Sequence, residues 1–255
     1  ILHPLFSCYN PIVHIALSIR NLSKEYTNFG GSSRVVSNLT LSVADGEVFG
    51  FLGPNGAGKT TTIKMIVGLA FPTRGTIEIF GQHAHSRAVR ARVGFMSENP
   101  YFYSYLTAGE FMRFSASLLN IPPKMAKDRA QSLLAMVGLR EVADRQIRTF
   151  SKGMNQRLGF AQALLGDPDI IFLDEPLDGL DPLGRVDFKR MMQALKKEGK
   201  TIFFNSHILS DVQELCDSVG IIHKGKLLEV GPLRRLLSAR ESLEEHFIRI
   251  VGAKR

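Results

Sequence analysis

The sequence predicts an α/β protein: a mainly parallel sheet with flanking helices, an antiparallel β subdomain beside it, and an inserted α-helical subdomain. Three observations carry this. Ile170-Ile-Phe-Leu173 and Thr201-Ile-Phe-Phe204 are short, continuously apolar runs, as parallel strands buried on both faces are. Ile15–Arg20, Leu39–Val43 and Thr76–Phe80 instead alternate apolar and polar, the period of half-buried strands. Residues 99 to about 165 change to helical periods bounded by caps and breakers.

In chain order, Ile15–Arg20 alternates as a strand and Leu22–Tyr26 continues from it. Gly30–Ser33 reads as a loop, and Leu39, Leu41 and Val43 mark the next strand. Asp45-Gly46 signals a tight hairpin into the apolar run Val48–Leu52. Thr62–Val67 reads as a helix stopped by Gly68 and Pro72, followed by strands at Thr76–Phe80 and Val93–Met96. Thr107 and Glu110 form a capping box for a helix to about Leu119. Lys124–Val137 is a second helix closed by Gly138, and a third runs from about Gly153 to Leu165. Helices at about 182–198 and 209–216, a hairpin over Ile221–Leu228 and an amphipathic helix from Ser242, with Leu243, Phe247 and Ile250 on one face, complete the chain.

Bulk properties narrow the class. At 255 residues, the chain fits one large domain or a domain with an insertion. Its two cysteines, Cys8 and Cys216, lack metal or redox spacing and suit a reducing compartment. The formal charge of +8 permits nucleic acid, an anionic cytoplasmic leaflet or a plain solvated surface as partner. No run approaches the ~20 apolar residues of a spanning helix, so any membrane span is expected from another chain. Residues 1–12, moderately apolar, broken by prolines and without an initiator Met, are read as an uncertain N-terminal segment. The folded domain is expected over 13–255, with its core in 13–98 and 166–235, helices in 99–165 and a terminal helix in 236–255.

Between the run ending at Leu52 and the helix after it stand Gly53, Pro54, Asn55, Gly56, Ala57, Gly58, Lys59, Thr60 and Thr61, the pattern G-x-x-x-x-G-K-T. Glycines there let several backbone N–H groups turn onto one anion, and the helix adds its N-terminal dipole. Lys59 is placed to reach the β- and γ-phosphates and the Thr60 hydroxyl to ligate Mg²⁺, making this the core of a P-loop NTPase. The strand Ile170–Leu173 ends in two acids, Asp174 and Glu175, at the edge where nucleotides bind such sheets. Asp174 is expected to hold Mg²⁺, through a water, and Glu175 to orient or deprotonate the attacking water.

Phe150-Ser151-Lys152-Gly153-Met154, just before the helix leading to that strand, resembles the ATP-binding-cassette (ABC) ATPase signature, usually Leu-Ser-Gly-Gly-Gln. Ser151 and Gly153 match, whereas Phe150, Lys152 and Met154 depart in the manner of exporters whose ATPase and membrane subunits are separate chains. The resemblance implies a head-to-tail dimer, homo- or heteromeric, in which Ser151 and Gly153 of one subunit close on ATP held by the other. It further implies that Asp181, in Asp178-Gly-Leu-Asp-Pro182, organises the interface, that His207 contacts the γ-phosphate and that Tyr26 stacks on adenine, with Phe29 as substitute. Where the family places a Gln that touches Mg²⁺ and couples to the membrane partner, this chain has Glu98; Asn99 is the fallback. The aromatics of the segment Glu98–Tyr105, namely Tyr101, Phe102, Tyr103 and Tyr105, suit an anchor for that partner, or core packing.

The resemblance covers residues 13 to about 250 and implies an ATPase subunit at the cytoplasmic face of the membrane. It works with a separate multi-spanning permease, uses ATP and Mg²⁺, and has no nucleic-acid partner. A soluble relative acting on nucleic acid or ribosomes is the alternative. DNA-repair relatives split the motifs by a long coiled coil, while 97 positions separate Gly53 from Phe150; ribosome-acting relatives carry two cassettes, while this chain has one set of motifs. A regulatory subunit that binds without hydrolysing conflicts with the intact Lys59, Asp174, Glu175 and His207.

Overall fold

The computed structural model describes residues 14–28, 31–238 and 241–253; the expectations for residues 1–12 and Phe29 lie outside them. In chain order the strands are β1 (Ile15–Asn28), β2 (Gly31–Ala44), β3 (Val48–Leu52), β4 (Arg74–Ile79), β5 (Gln82–His83), β6 (Val93–Met96), β7 (Ile170–Asp174), β8 (Thr201–Ser206), β9 (Ser218–His223) and β10 (Lys226–Pro232). The helices are α1 (Lys59–Ile66), α2 (Arg87–Arg90), α3 (Ala108–Leu118), α4 (Pro123–Met136), α5 (Lys152–Ala163), α6 (Pro182–Lys197), α7 (Leu209–Leu215), α8 (Leu233–Leu236) and α9 (Leu243–Gly252).

A six-stranded sheet, ordered β10-β9-β3-β8-β7-β6, is parallel except for its last hairpin. Its strands are apolar on both faces because two cores flank it. Phe49, Phe51, Phe172 and Phe203 turn to one face, where their rings gather. There they meet α1 and the second, four-stranded antiparallel sheet, ordered β2-β1-β4-β5. Leu52, Leu173, Phe204 and Ile221 turn to the other face, toward residues of α3–α7 and α9. Each fully buried Phe or Leu contributes about 1.5–3 kcal/mol of transfer free energy, which holds the three layers together.

Three local readings change. Asp45-Gly46 is a turn, but β2 and β3 belong to different sheets, so it is a crossover and not a hairpin. Gly31–Ser33 is strand, paired with Asn28, Thr27 and Tyr26 in the long β1–β2 ribbon. The closing hairpin spans Ser218 to Pro232, longer than the apolar pattern implied, because its outer strand is only half-buried. Helices α3, α4 and α5 lie between β6 and β7; both bonds of the Thr107–Glu110 capping box form, and Gly138 takes φ +72° beyond α4. Helix α9 carries a second capping box, Ser242 with Glu245.

Candidate functional site

Because β3, β7 and β8 are parallel, their carboxyl ends lie level: Leu52 pairs with Ser206 and Asp174 with Asn205. That edge is where open α/β sheets bind ligands. A cleft of about 390 Å³ opens there, lined by Val35, Pro54–Thr61, Glu98, Glu175, Asp178 and His207.

The loop before α1 is shaped by close approach. A Cβ on Gly53 would sit 2.4 Å from the carbonyl oxygen of Ile222, and one on Gly58 would sit 2.8 Å from that of Val35. Gly58 also has φ +106°, which a side chain disfavours. From the hairpin turn, the Gly225 N–H donates to the Ala57 carbonyl (3.0 Å) while its own carbonyl accepts from Ser37 (2.8 Å). Two sheets thus brace one loop. Gly58 caps α1 without a side chain, so the first-turn amides face the cleft uncovered by a side-chain acceptor.

Lys59 is buried, and its ammonium donates to the carbonyls of Gly53 (2.8 Å) and Pro54 (3.4 Å), 3.5 Å from Glu175 Oε1. The Thr60 hydroxyl donates to Asp174 Oδ1 at 3.0 Å, and the Asn205 amide donates to the same oxygen at 2.5 Å. Burial pushes the Asp174 carboxyl up, the bonds from Asn205 and Thr60 pull it down, and neighbouring Glu175 raises it further. Glu175 has φ +49° and donates its N–H to Asn205 Oδ1 at 2.6 Å. Its Oε2 accepts from the His207 backbone (3.3 Å) and lies 2.9 Å from His207 Nδ1. The Thr60 hydroxyl, the Asp174 carboxylate and Glu98 give oxygen donors suited to Mg²⁺. No group of three or more His, Cys, Asp or Glu converges on a point among the described residues.

Not every expected residue reaches this cleft. Ser151 caps α5, accepting from the Met154 N–H at 3.2 Å, and neither it nor Gly153 lines the cleft. Asp181 caps α6 through Gly184 (2.8 Å) and also lies off the lining. Tyr26 is half-exposed with the Lys24 ammonium 4.7 Å from its ring centre; Val35 is the residue the antiparallel sheet places at the cleft. Of the four aromatics, Phe102 is core, edge-on to Phe111, while Tyr101, Tyr103 and Tyr105 are exposed. Asp144, Arg140, Arg145 and Arg148 are exposed.

Sequence reasoning passed over three residues. Asn205 joins the two acids. Gln156, buried in α5, donates to the carbonyls of Glu98 (3.2 Å) and Asp178 (3.4 Å), linking segments on either side of the cleft. Lys152, the departure within the signature, pairs with Asp178 at 2.6 Å and holds that carboxyl below its usual range. Their partners lie 22 to 58 positions away in sequence, so no local spacing reveals them.

Fold and cleft together define an ATP-binding and ATP-hydrolysing α/β protein of the phosphate-loop type. Residues 36–178 match the ABC transporter family, and the chain belongs to it. It is 48% identical over 228 residues to an uncharacterized ABC transporter ATP-binding protein of Nostoc sp., covering 87% of this chain and 68% of that one. It is 46% identical over 215 residues to the bacitracin transport ATP-binding protein BcrA of Bacillus licheniformis, covering 83% and 69%. A solved ATP-binding subunit of an ABC transporter superposes with a TM-score of 0.83 at 32% identity, covering 92% of this chain and 99% of that one. No described helix is long and apolar enough to cross a membrane.

Proposed function

We propose that this chain closes head to tail with a second ATPase subunit, identical or not, around two ATP molecules. The closure drives substrate movement, in the export direction, through a separate multi-spanning permease at the cytoplasmic face of the membrane. One observation carries the reading: the cleft is lined by Pro54–Thr61 and Glu175, with Asp174 bonded to its Thr60, yet Ser151 and Gly153 at the start of α5 lie outside it. A helix N-terminus with a hydroxyl beside it is built for an anion, and a second subunit's ATP is the anion that would meet it.

In this reading the Gly53–Thr61 amides cradle the phosphates, and Lys59 leaves its carbonyl contacts for the β- and γ-oxygens. Thr60, Glu98 and Asp174 hold Mg²⁺, which when bound neutralises charge developing on the phosphates. Glu175 orients the attacking water and accepts its proton, with His207 steadying the same carboxylate and reaching toward the γ-phosphate. Tyr26 stacks on adenine, and Asp181 orders the interface. The segment 99–165 acts as the helical subdomain set into the core of 13–98 and 166–235, with 236–255 as the terminal helix. Exposed Tyr101, Tyr103 and Tyr105 offer the permease an aromatic foothold. The relative named for bacitracin transport supports a transport role over a nucleic-acid one.

Affinity purification of the tagged chain from detergent-solubilised membranes is expected to bring down a multi-spanning protein in fixed proportion. Recovery with ribosomes or DNA instead, and without such a protein, would overturn the transporter reading.

A further inference from the structure

We infer that Asn205 is a positioning residue for hydrolysis, fixing the Glu175 main chain and the Asp174 carboxylate against one another through a single planar amide. The inference rests on the roles proposed above for Asp174 and Glu175.

Asn205 is fully buried on β8, directly across the ladder from Asp174 on β7. Its amide orientation is forced by chemistry. The Glu175 N–H is only a donor, so Oδ1 must face it, at 2.6 Å; Asp174 offers an acceptor, so Nδ2 must face that, at 2.5 Å. With both positions reversed, donor would meet donor and acceptor would meet acceptor. The bond to Asp174 falls on Oδ1, the atom that also accepts from Thr60, so the carboxylate is held against rotation from two directions. The bond to Glu175 holds a residue at φ +49°, a conformation a glutamate does not favour and that the surroundings must maintain. Glu175 is thereby turned so that its side chain reaches His207 Nδ1 and the cleft.

Other residue types satisfy only part of this geometry. A serine or threonine hydroxyl can donate to Asp174 or accept from Glu175, and is too short to span both. An aliphatic side chain leaves the buried Glu175 N–H without an acceptor, which favours relaxation of the strained backbone. Asn205 does not line the cleft, so its influence on ATP passes through the two acids.

The test is steady-state ATPase kinetics on Asn205→Ala and Asn205→Ser, with affinity for a fluorescent ATP analogue and thermal unfolding measured on the same preparations. We expect kcat to fall at least thirtyfold for Asn205→Ala and between threefold and thirtyfold for Asn205→Ser. Analogue affinity should stay within about threefold for both. A kcat within threefold of wild type in either folded variant overturns the inference. So does a loss of analogue affinity equal to the loss of kcat, the mark of a residue that only supports the fold. Should the alanine variant fail to fold, the serine variant is read against the same limits. Glu175→Gln, assayed in parallel, separates the two layers: retained turnover there refutes the role of Glu175 itself, whereas lost turnover with unaffected Asn205 variants refutes only the role of Asn205.

Discussion

Replacing Gly153 by alanine separates what this residue does for its own subunit from what it does for a second one. In the single chain the change is mild. A Cβ at Gly153 would have Leu180 Cδ2 as its nearest neighbour, at 3.5 Å, an ordinary contact, and no positive φ stands in its way. Alanine is favoured over glycine within helices by about 0.5–1 kcal/mol, and by less in a first turn such as this. The variant is therefore expected to unfold in denaturant at or slightly above the wild-type midpoint. ATP affinity of the isolated subunit should not change, since Gly153 does not line the cleft. In the proposed dimer, however, the added methyl would stand where a phosphate of the partner's ATP approaches the backbone N–H. Loss of one charge-assisted hydrogen bond is worth about 1.5–3 kcal/mol, so turnover should fall about ten- to a hundredfold. Unfolding, nucleotide titration and ATPase rate on one preparation check all three. Unchanged turnover, or weakened ATP binding by the lone subunit, would refute the reasoning.

Two further outcomes follow, one at the cleft and one at the terminal helix. Glu98→Gln should leave ATP affinity similar while changing turnover or its preference between Mg²⁺ and Mn²⁺; identical rates with both metals would remove Glu98 from the metal shell. His246→Ala concerns the anchorage of α9. This histidine is buried, 2.7 Å from Glu229 on β10 through Nε2, with Glu241 and Arg249 at Nδ1 (3.4 and 2.8 Å). Losing a buried group with such partners costs about 1–3 kcal/mol, so amide exchange in α9 should speed by roughly five- to a hundredfold. Exchange as slow as in wild type would show that Leu243 and Val251 alone hold the helix.

The parts of the site legible in the sequence were those written contiguously. The loop Gly53–Thr61 and the acids Asp174 and Glu175 each sit between residues whose periodicity names their setting, and they converge because β3 and β7 are parallel strands of one sheet, on either side of β8. The turn at Asp45-Gly46 was legible as a turn only. Dihedral preference at two residues does not encode which sheet the next strand joins, and burial of Phe49 and Phe51 between the sheets decides that. Asn205, Gln156 and Lys152 were illegible for a different reason: each works through a partner 22 to 58 positions distant, brought close only by the packing of β8 and α5. His246 was missed similarly, since a lone histidine on an amphipathic helix carries no local sign that two glutamates await it.

Half of an ATP site on each subunit is the centre of the account, and the mass of Glu175→Gln in solution tests it most directly. With ATP and Mg²⁺ the variant, expected from the proposed role of Glu175 to bind without hydrolysing, should elute in size-exclusion chromatography with light scattering at about twice the chain mass of 28.3 kDa, alone or with a co-purified second ATPase subunit. Without nucleotide it should return to one. A single-chain mass in saturating ATP and Mg²⁺, from protein shown to bind the nucleotide, would contradict a site completed by a second subunit.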